Sequence, residues 1–138
     1  MTTLRCELTA ADLMTIEPIV VSYEALIEEA ERLIRDHHVS GLPVVDQGGV
    51  LVGVISQTDL VHLDDPSVRS LIRRASVGIR VGEVMSRPPV TVLLTTTLLE
   101  AARLMTQQWI HRVVVVDEKG RPLGVLAAMD FVALFAED

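Results

Sequence analysis

The chain has 138 residues, 49% of them hydrophobic but only four aromatic, so Val, Leu, Ile and Ala must build the core of one compact domain or an inseparable pair of subdomains. A formal charge of −7 argues against nonspecific nucleic-acid binding, which is driven by neutralising phosphates. Cys6 is the single cysteine, which excludes an internal disulfide and any multi-cysteine metal site; no apolar run reaches the ~18 residues of a membrane span, and no signal-peptide profile opens the chain, so a cytoplasmic protein is expected.

In chain order, a short helical turn ending at Met14 leads through Pro18 to a brief extended stretch, Ile19-Val20-Val21. A helix follows, with Leu26, Ala30, Leu33 and Ile34 at helical spacing and Glu28–Arg32 and Glu31–Arg35 as i,i+4 pairs on its wet side. Leu42 to Asp46 and Val50 to Ser56 flank Gln47-Gly48-Gly49 and predict a β-hairpin, and a short helix starts after Ser56. Asp64-Asp65-Pro66 breaks the chain, and residues 67 to 75 are expected to form a linker helix. Arg69, Arg73, Arg74 and Arg80 cluster there, as a solvated face or, alternatively, a phosphate site.

The same series then returns. A turn ends at Met85, Val90-Thr91-Val92 is extended, and Thr97 and Glu100 have capping-box spacing ahead of a helix with Leu98, Ala101, Leu104 and Met105 on its buried side. Val113 to Asp117 and Leu123 to Ala127 form a second hairpin around Glu118-Lys119-Gly120-Arg121, and a last helix starts after Ala127. Residues 12 to 61 and 83 to 132 align without a gap at an offset of 71, with fifteen of fifty pairs identical. Val44-Val45-Asp46 returns as Val115-Val116-Asp117, Gly49 as Gly120, Gly53-Val54 as Gly124-Val125, and Asp59 as Asp130. The expected fold is α/β: two tandem β-α-β-β-α repeats packed about a pseudo-twofold axis, with repeat 1 at 8–62, a linker helix at 63–80 and repeat 2 at 81–136. Matching clefts between the repeats are the expected place for function.

Gly53-Val54-Ile55-Ser56-Gln57-Thr58-Asp59 sets a hydroxyl and a carboxylate three residues apart where a strand passes into a helix. Backbone N–H groups there suit an anion, and a fixed carboxylate can accept both hydroxyls of a ribose. Read alone, Ser56 and Asp59 are equally ordinary helix N-terminal residues.

The Met-x-x-x-Pro opening of each repeat, Pro43 to Asp46 and the Gly-h-h-Ser-x-x-Asp run at 53 to 59 together resemble the cystathionine β-synthase (CBS) domain family, in which two such motifs pair as a Bateman module. The resemblance covers almost the whole chain. It implies a regulatory protein that binds AMP, ADP, ATP or S-adenosylmethionine, assembles as a disc-shaped homodimer and signals to an effector protein. A ligand-free dimerisation module with vestigial clefts is the alternative. The resemblance assigns one cleft to Val54, Ser56 and Asp59, closed by Val90, Ile110, His111 and Arg112, with His111 and Arg112 facing phosphate. Arg112 suits that part because guanidinium matches phosphate as a fork; as a bare sequence feature it is equally a surface arginine at a strand edge. The second cleft is assigned Val39, Ser40, Gly41 and Asp130. It departs from the pattern, because Ala127 replaces the hydroxyl and Gly41 stands where Arg112 stands in the other repeat.

Nothing else points to chemistry. His37 and His38 adjoin a helix end without further ligands at metal spacing. Trp109 is expected to pack under the hairpin, and Met14, Met85, Met105 and Met129 to fill the core. No Ser/His/Asp, Cys/His or paired-carboxylate arrangement converges, so no enzyme is expected.

Overall fold

A computed structural model describes residues 8–16, 19–61, 66–67 and 78–137. The elements are α1 (Ala10–Leu13), β1 (Thr15–Ile16), β2 (Val21–Ser22), α2 (Ile27–His37), β3 (Gly41–Val45), β4 (Leu51–Ser56), α3 (Gln57–Val61), α4 (Val81–Val84), β5 (Thr91–Leu93), α5 (Leu98–Gln108), β6 (Arg112–Val116), β7 (Pro122–Ala127) and α6 (Ala128–Ala136). Of the expected linker only residues 66–67, which are helical, and 78–80 are described; Arg69, Arg73 and Arg74 lie outside the described residues.

The chain divides into two compact units, and they are cut differently from the sequence repeats. The middle unit is Ile19–Pro89; the terminal unit joins Met1–Pro18 to Val90–Asp138. In the middle unit β2 runs parallel to β3, and β3 pairs antiparallel with β4. The terminal unit repeats this with β5, β6 and β7, and adds β1 antiparallel to β7 at the sheet edge.

Each unit has a core of its own, built on equivalent positions. Val21, Ile27, Ala30, Ile34, Leu42, Val44 and Ile55 cluster in one. Val92, Leu98, Ala101, Met105, Val113, Val115 and Leu126 are their counterparts in the other. The eighth equivalent pair is exchanged: Val81 joins the middle core and Ala10 the terminal one, both fully buried, and Leu60 is a ninth buried residue of the middle core alone. The segment that leads into each sequence repeat therefore packs on the hairpin of the other.

Two repeated glycines show why the lead-in fits. A Cβ on Gly53 would lie 2.6 Å from Met85 Sδ and 2.9 Å from the Ser86 carbonyl oxygen; one on Gly124 would lie 2.6 Å from both Met14 Sδ and the Thr15 oxygen. Only a residue without a side chain lets backbone and methionine approach a strand so closely. Met14 and Met85 are half-buried, each beside the core cluster of the unit it enters.

The hairpin loops explain another repeated pair. Asp46 Oδ1 accepts the Gly48 and Val50 amides at 2.9 and 3.0 Å, and Asp117 Oδ1 accepts those of Lys119 and Arg121 at 2.8 and 2.9 Å. These amide bonds hold the Asp117 carboxyl below its ordinary pKa. Gly49 and Gly120 turn each loop at φ 82° and 81°.

Helix details depart from the periodicity in instructive ways. Leu26 is the N-cap of α2 and 39% exposed, and Ile27 takes the buried position. Arg32 meets Glu29 at 3.6 Å rather than Glu28. Thr97 and Glu100 do form the capping box of α5: Thr97 Oγ1 accepts the Glu100 amide at 3.1 Å, and Glu100 Oε1 accepts the Thr97 amide and hydroxyl at 3.3 and 2.9 Å. Both long helices end on a non-glycine residue in the left-handed region, His38 at φ 54° and Trp109 at φ 55°. Trp109 does not pack under the hairpin; it is 91% exposed, because the left-handed cap turns the chain at that point away from the core. Met129 is likewise 70% exposed rather than interior, on the outward stripe of α6.

Candidate nucleoside-binding site

The strand-to-helix junction of the middle unit is locked by a reciprocal set of bonds. Asp59 Oδ2 accepts the Ser56 amide at 2.9 Å and its hydroxyl at 3.1 Å, while Ser56 Oγ accepts the Asp59 amide at 3.2 Å. That is a capping box with a short acidic arm, and it fixes the carboxylate plane. The Gln57 amide is bonded to the Ser40 carbonyl at 2.9 Å, so the first turn of α3 is tied to the start of β3. Gly41 lies directly across the β3–β4 pair from Ser56.

A residue that the spacing argument missed joins this group. The Ser86 hydroxyl donates to Asp59 Oδ1 at 3.0 Å. Ser86 is held there by two backbone bonds to Val54, at 2.8 and 3.1 Å, which form an antiparallel bridge at the free edge of β4. The only hint in the sequence is its place directly after Met85, whose partner across the fold is Gly53.

The junction of the terminal unit keeps the frame and loses the hydroxyl. Asp130 Oδ2 accepts the Ala127 amide at 2.7 Å, but Ala127 has no side-chain oxygen to complete the box. Arg112 is the residue across from Ala127, as Gly41 is from Ser56. It is half-buried, and loss of solvent around the guanidinium lowers its pKa from the ordinary arginine value. His111 is exposed and its carbonyl accepts the Ala128 amide at 2.8 Å. Ile110 and Val90 are half-buried against the terminal core.

The candidate residues thus fall into two sets. Val54, Ser56 and Asp59, with Val39, Ser40 and Gly41, belong to the middle unit; Val90, Ile110, His111, Arg112 and Asp130 belong to the terminal unit. Arg80, the one described member of the arginine cluster, is exposed and donates to the Glu24 carbonyl at 2.8 Å. Among the described residues no group of three or more His, Cys, Asp or Glu side chains could hold a metal ion, and no helix is long and apolar enough to cross a membrane.

The paired hairpins, the two Gly-h-h-x-x-x-Asp junctions and the duplicated core are matched by a CBS-domain family profile over residues 10–65 and 81–137. The chain belongs to the CBS domain family. It is 33% identical to the chloroplastic CBS domain-containing protein CBSX2 of Arabidopsis thaliana over 78% of its length and 54% of that protein's. It is 35% identical to an inosine-5′-monophosphate dehydrogenase of Korarchaeum cryptofilum, over 81% of this chain and 21% of the enzyme. The chain therefore spans about half of one of these curated relatives and about a fifth of the other. Among solved structures, CBSX2 in complex with AMP superposes with a TM-score of 0.81 at 34% identity, covering 94% of this chain and 97% of that one. The CBS domain pair of protein MJ0100, in complex with 5′-methylthioadenosine and S-adenosyl-L-methionine, gives 0.81 at 26% identity, covering 94% and 96%.

Proposed function

We propose that this chain is a regulatory CBS pair that binds an adenine nucleotide or another adenosyl ligand and signals its occupancy to a partner protein in the cytoplasm, with no catalysis of its own. The observation that carries the reading is the Asp59 carboxylate, pinned on one oxygen by Ser56 and presented by a rigid strand-to-helix junction. AMP, 5′-methylthioadenosine and S-adenosylmethionine, the ligands of the related structures, share an adenosine with an intact ribose diol and differ only at the 5′ position. A preorganised carboxylate suits a hydroxyl of such a diol. By the resemblance, Val54, Ser56 and Asp59 serve the nucleoside, Val90 and Ile110 flank it, and His111 and Arg112 meet the 5′ phosphate. Val39, Ser40, Gly41 and Asp130 would serve a second, weaker ligand. Signalling would follow from different affinity of the ligand for two packings of the protein.

A homodimer is part of the proposal. Met129, Val132 and Phe135 recur every third residue of α6 and are 70%, 55% and 62% exposed, and Val61 on α3 is 61% exposed. Such stripes suit a twofold partner. The same observation favours the second reading, a dimerisation module that needs no ligand. Thermal shift and calorimetry with AMP, ADP, ATP, S-adenosylmethionine and 5′-methylthioadenosine separate the two. Saturable stabilisation by any of them supports the ligand-binding reading, and no response to all five leaves only the dimerisation module. Sedimentation at micromolar concentration that shows only a 15 kDa species would contradict the dimer in both readings.

A further inference from the structure

Asp59 cannot hold a ribose diol by itself in the arrangement observed. Its Oδ2 already accepts two donors, the Ser56 amide and hydroxyl, which fill both lone-pair directions of that oxygen. Oδ1 accepts one, the Ser86 hydroxyl at 3.0 Å, and has room for a single further donor. One ribose hydroxyl is thereby accommodated and the other needs a second acceptor.

The Ser86 oxygen is placed to be that acceptor. Its proton is committed to Asp59 Oδ1, which leaves its own lone pairs to accept, and among the described residues Ser86 Oγ makes no other hydrogen bond. Ser86 is exposed, whereas Asp59 is half-buried, so the pair is open on the Ser86 side. Two acceptors 3.0 Å apart match the oxygens of a vicinal diol, which themselves lie within hydrogen-bonding distance of each other. The position of Ser86 does not depend on its side chain, because both backbone bonds to Val54 fix it.

We propose that Ser86 is a specificity-determining residue of the nucleoside site, accepting one ribose hydroxyl while Asp59 Oδ1 accepts the other, so that the site selects an intact cis-diol over deoxyribose. The inference rests on the adenosine reading given above. It requires a hydroxyl, and not serine as such, at position 86. Threonine is sterically suited, since Thr15 takes the equivalent place in the terminal unit, paired with Val125 as Ser86 is bridged to Val54.

The test is calorimetric titration of the 138-residue chain, Ser86→Ala and Ser86→Thr with AMP, 2′-deoxy-AMP and 3′-deoxy-AMP, with melting temperatures to confirm folding. Ser86→Ala is expected to weaken AMP about three- to tenfold, the worth of one neutral hydrogen bond. It should bind one of the two deoxy analogues as well as the unmodified chain does, because that analogue lacks the hydroxyl Ser86 accepts. Ser86→Thr should retain AMP affinity. Equal binding of all three nucleotides by Ser86→Ala and the unmodified chain overturns the inference. So does an equal loss for all three, which would mark a structural role. If the unmodified chain binds no AMP at all, the adenosine reading and this inference fall together; if it does and Ser86→Ala discriminates unchanged, only the inference falls.

Discussion

The middle and terminal units are built on one skeleton and finished differently. Their cores match at eight pairs of positions, their hairpins have the same register, and both long helices end in a left-handed non-glycine cap. The differences collect at the strand-to-helix junction and on the short helices. Ser56 becomes Ala127, Gly41 becomes Arg112, His38 becomes Trp109, and Gln57-Thr58 at the head of α3 become Ala128-Met129 at the head of α6. The two copies thus agree at the positions that packing constrains and differ at those proposed to face a ligand or a partner. The middle unit has the complete hydroxyl–carboxylate pair; the terminal unit has Arg112 where the middle unit has Gly41.

The largest effect that could break this comparison is on binding. Asp59→Ala should weaken an adenosyl ligand by ~2–4 kcal/mol, about 30- to 1000-fold, since a charge-assisted contact is lost. Asp130→Ala should change it by less than about threefold, and saturation should stop near one tightly held ligand per chain. Two equal sites in calorimetry, or equal penalties for the two aspartates, would erase the proposed asymmetry.

Next in size is a test of the exchanged lead-ins. Gly53→Ala drives a methyl into Met85 and the Ser86 carbonyl and should cost ~1–3 kcal/mol in denaturant unfolding. Met85→Ala in that background should return part of the loss, because the sulfur is one of the two obstacles, whereas Met14→Ala should return none. For Gly124→Ala the rescuing and silent partners are reversed. Rescue by the methionine of the same sequence repeat would mean the lead-ins are not exchanged.

Smaller is the junction itself. Ser56→Ala should lose ~1 kcal/mol of stability with the cap, and Ala127→Ser should gain a similar amount, since the Asp130 carboxylate is already bonded to the residue 127 amide. If Ala127→Ser gains nothing, the two junctions are less alike than their backbones. Smallest is the pair of left-handed caps: His38→Gly and Trp109→Gly should each alter the melting free energy by under ~1 kcal/mol, relief of the strained φ being offset by unfolded-chain entropy. For Trp109→Gly a larger loss that grows with protein concentration would show the exposed indole to be an interface residue.

The local elements were legible in the residues because local physics makes them: helical spacing of Ala30, Leu33 and Ile34, alternation and glycine turns in the hairpins, the Thr97–Glu100 box, and the equivalence of Asp59 and Asp130. The edges slipped by a residue where a cap outranked the periodicity, as at Leu26. What only the tertiary structure decided is which copy each lead-in serves. Met14 is equivalent to Met85 in the repeat and Gly53 to Gly124, so the repeat in sequence is silent on whether its parts stay at home or exchange. The same silence hid Ser86, which reaches Asp59 across twenty-seven positions only because Met85 and Ser86 lie against Gly53 and Val54. It also hid the exposure of Trp109, since an aromatic residue just past a helix reads as core until the left-handed turn is seen to point it outward. Composition and spacing determine which elements form, because those are short-range choices of backbone and burial. Which of two identical partners they meet is settled by chain connectivity and packing in three dimensions.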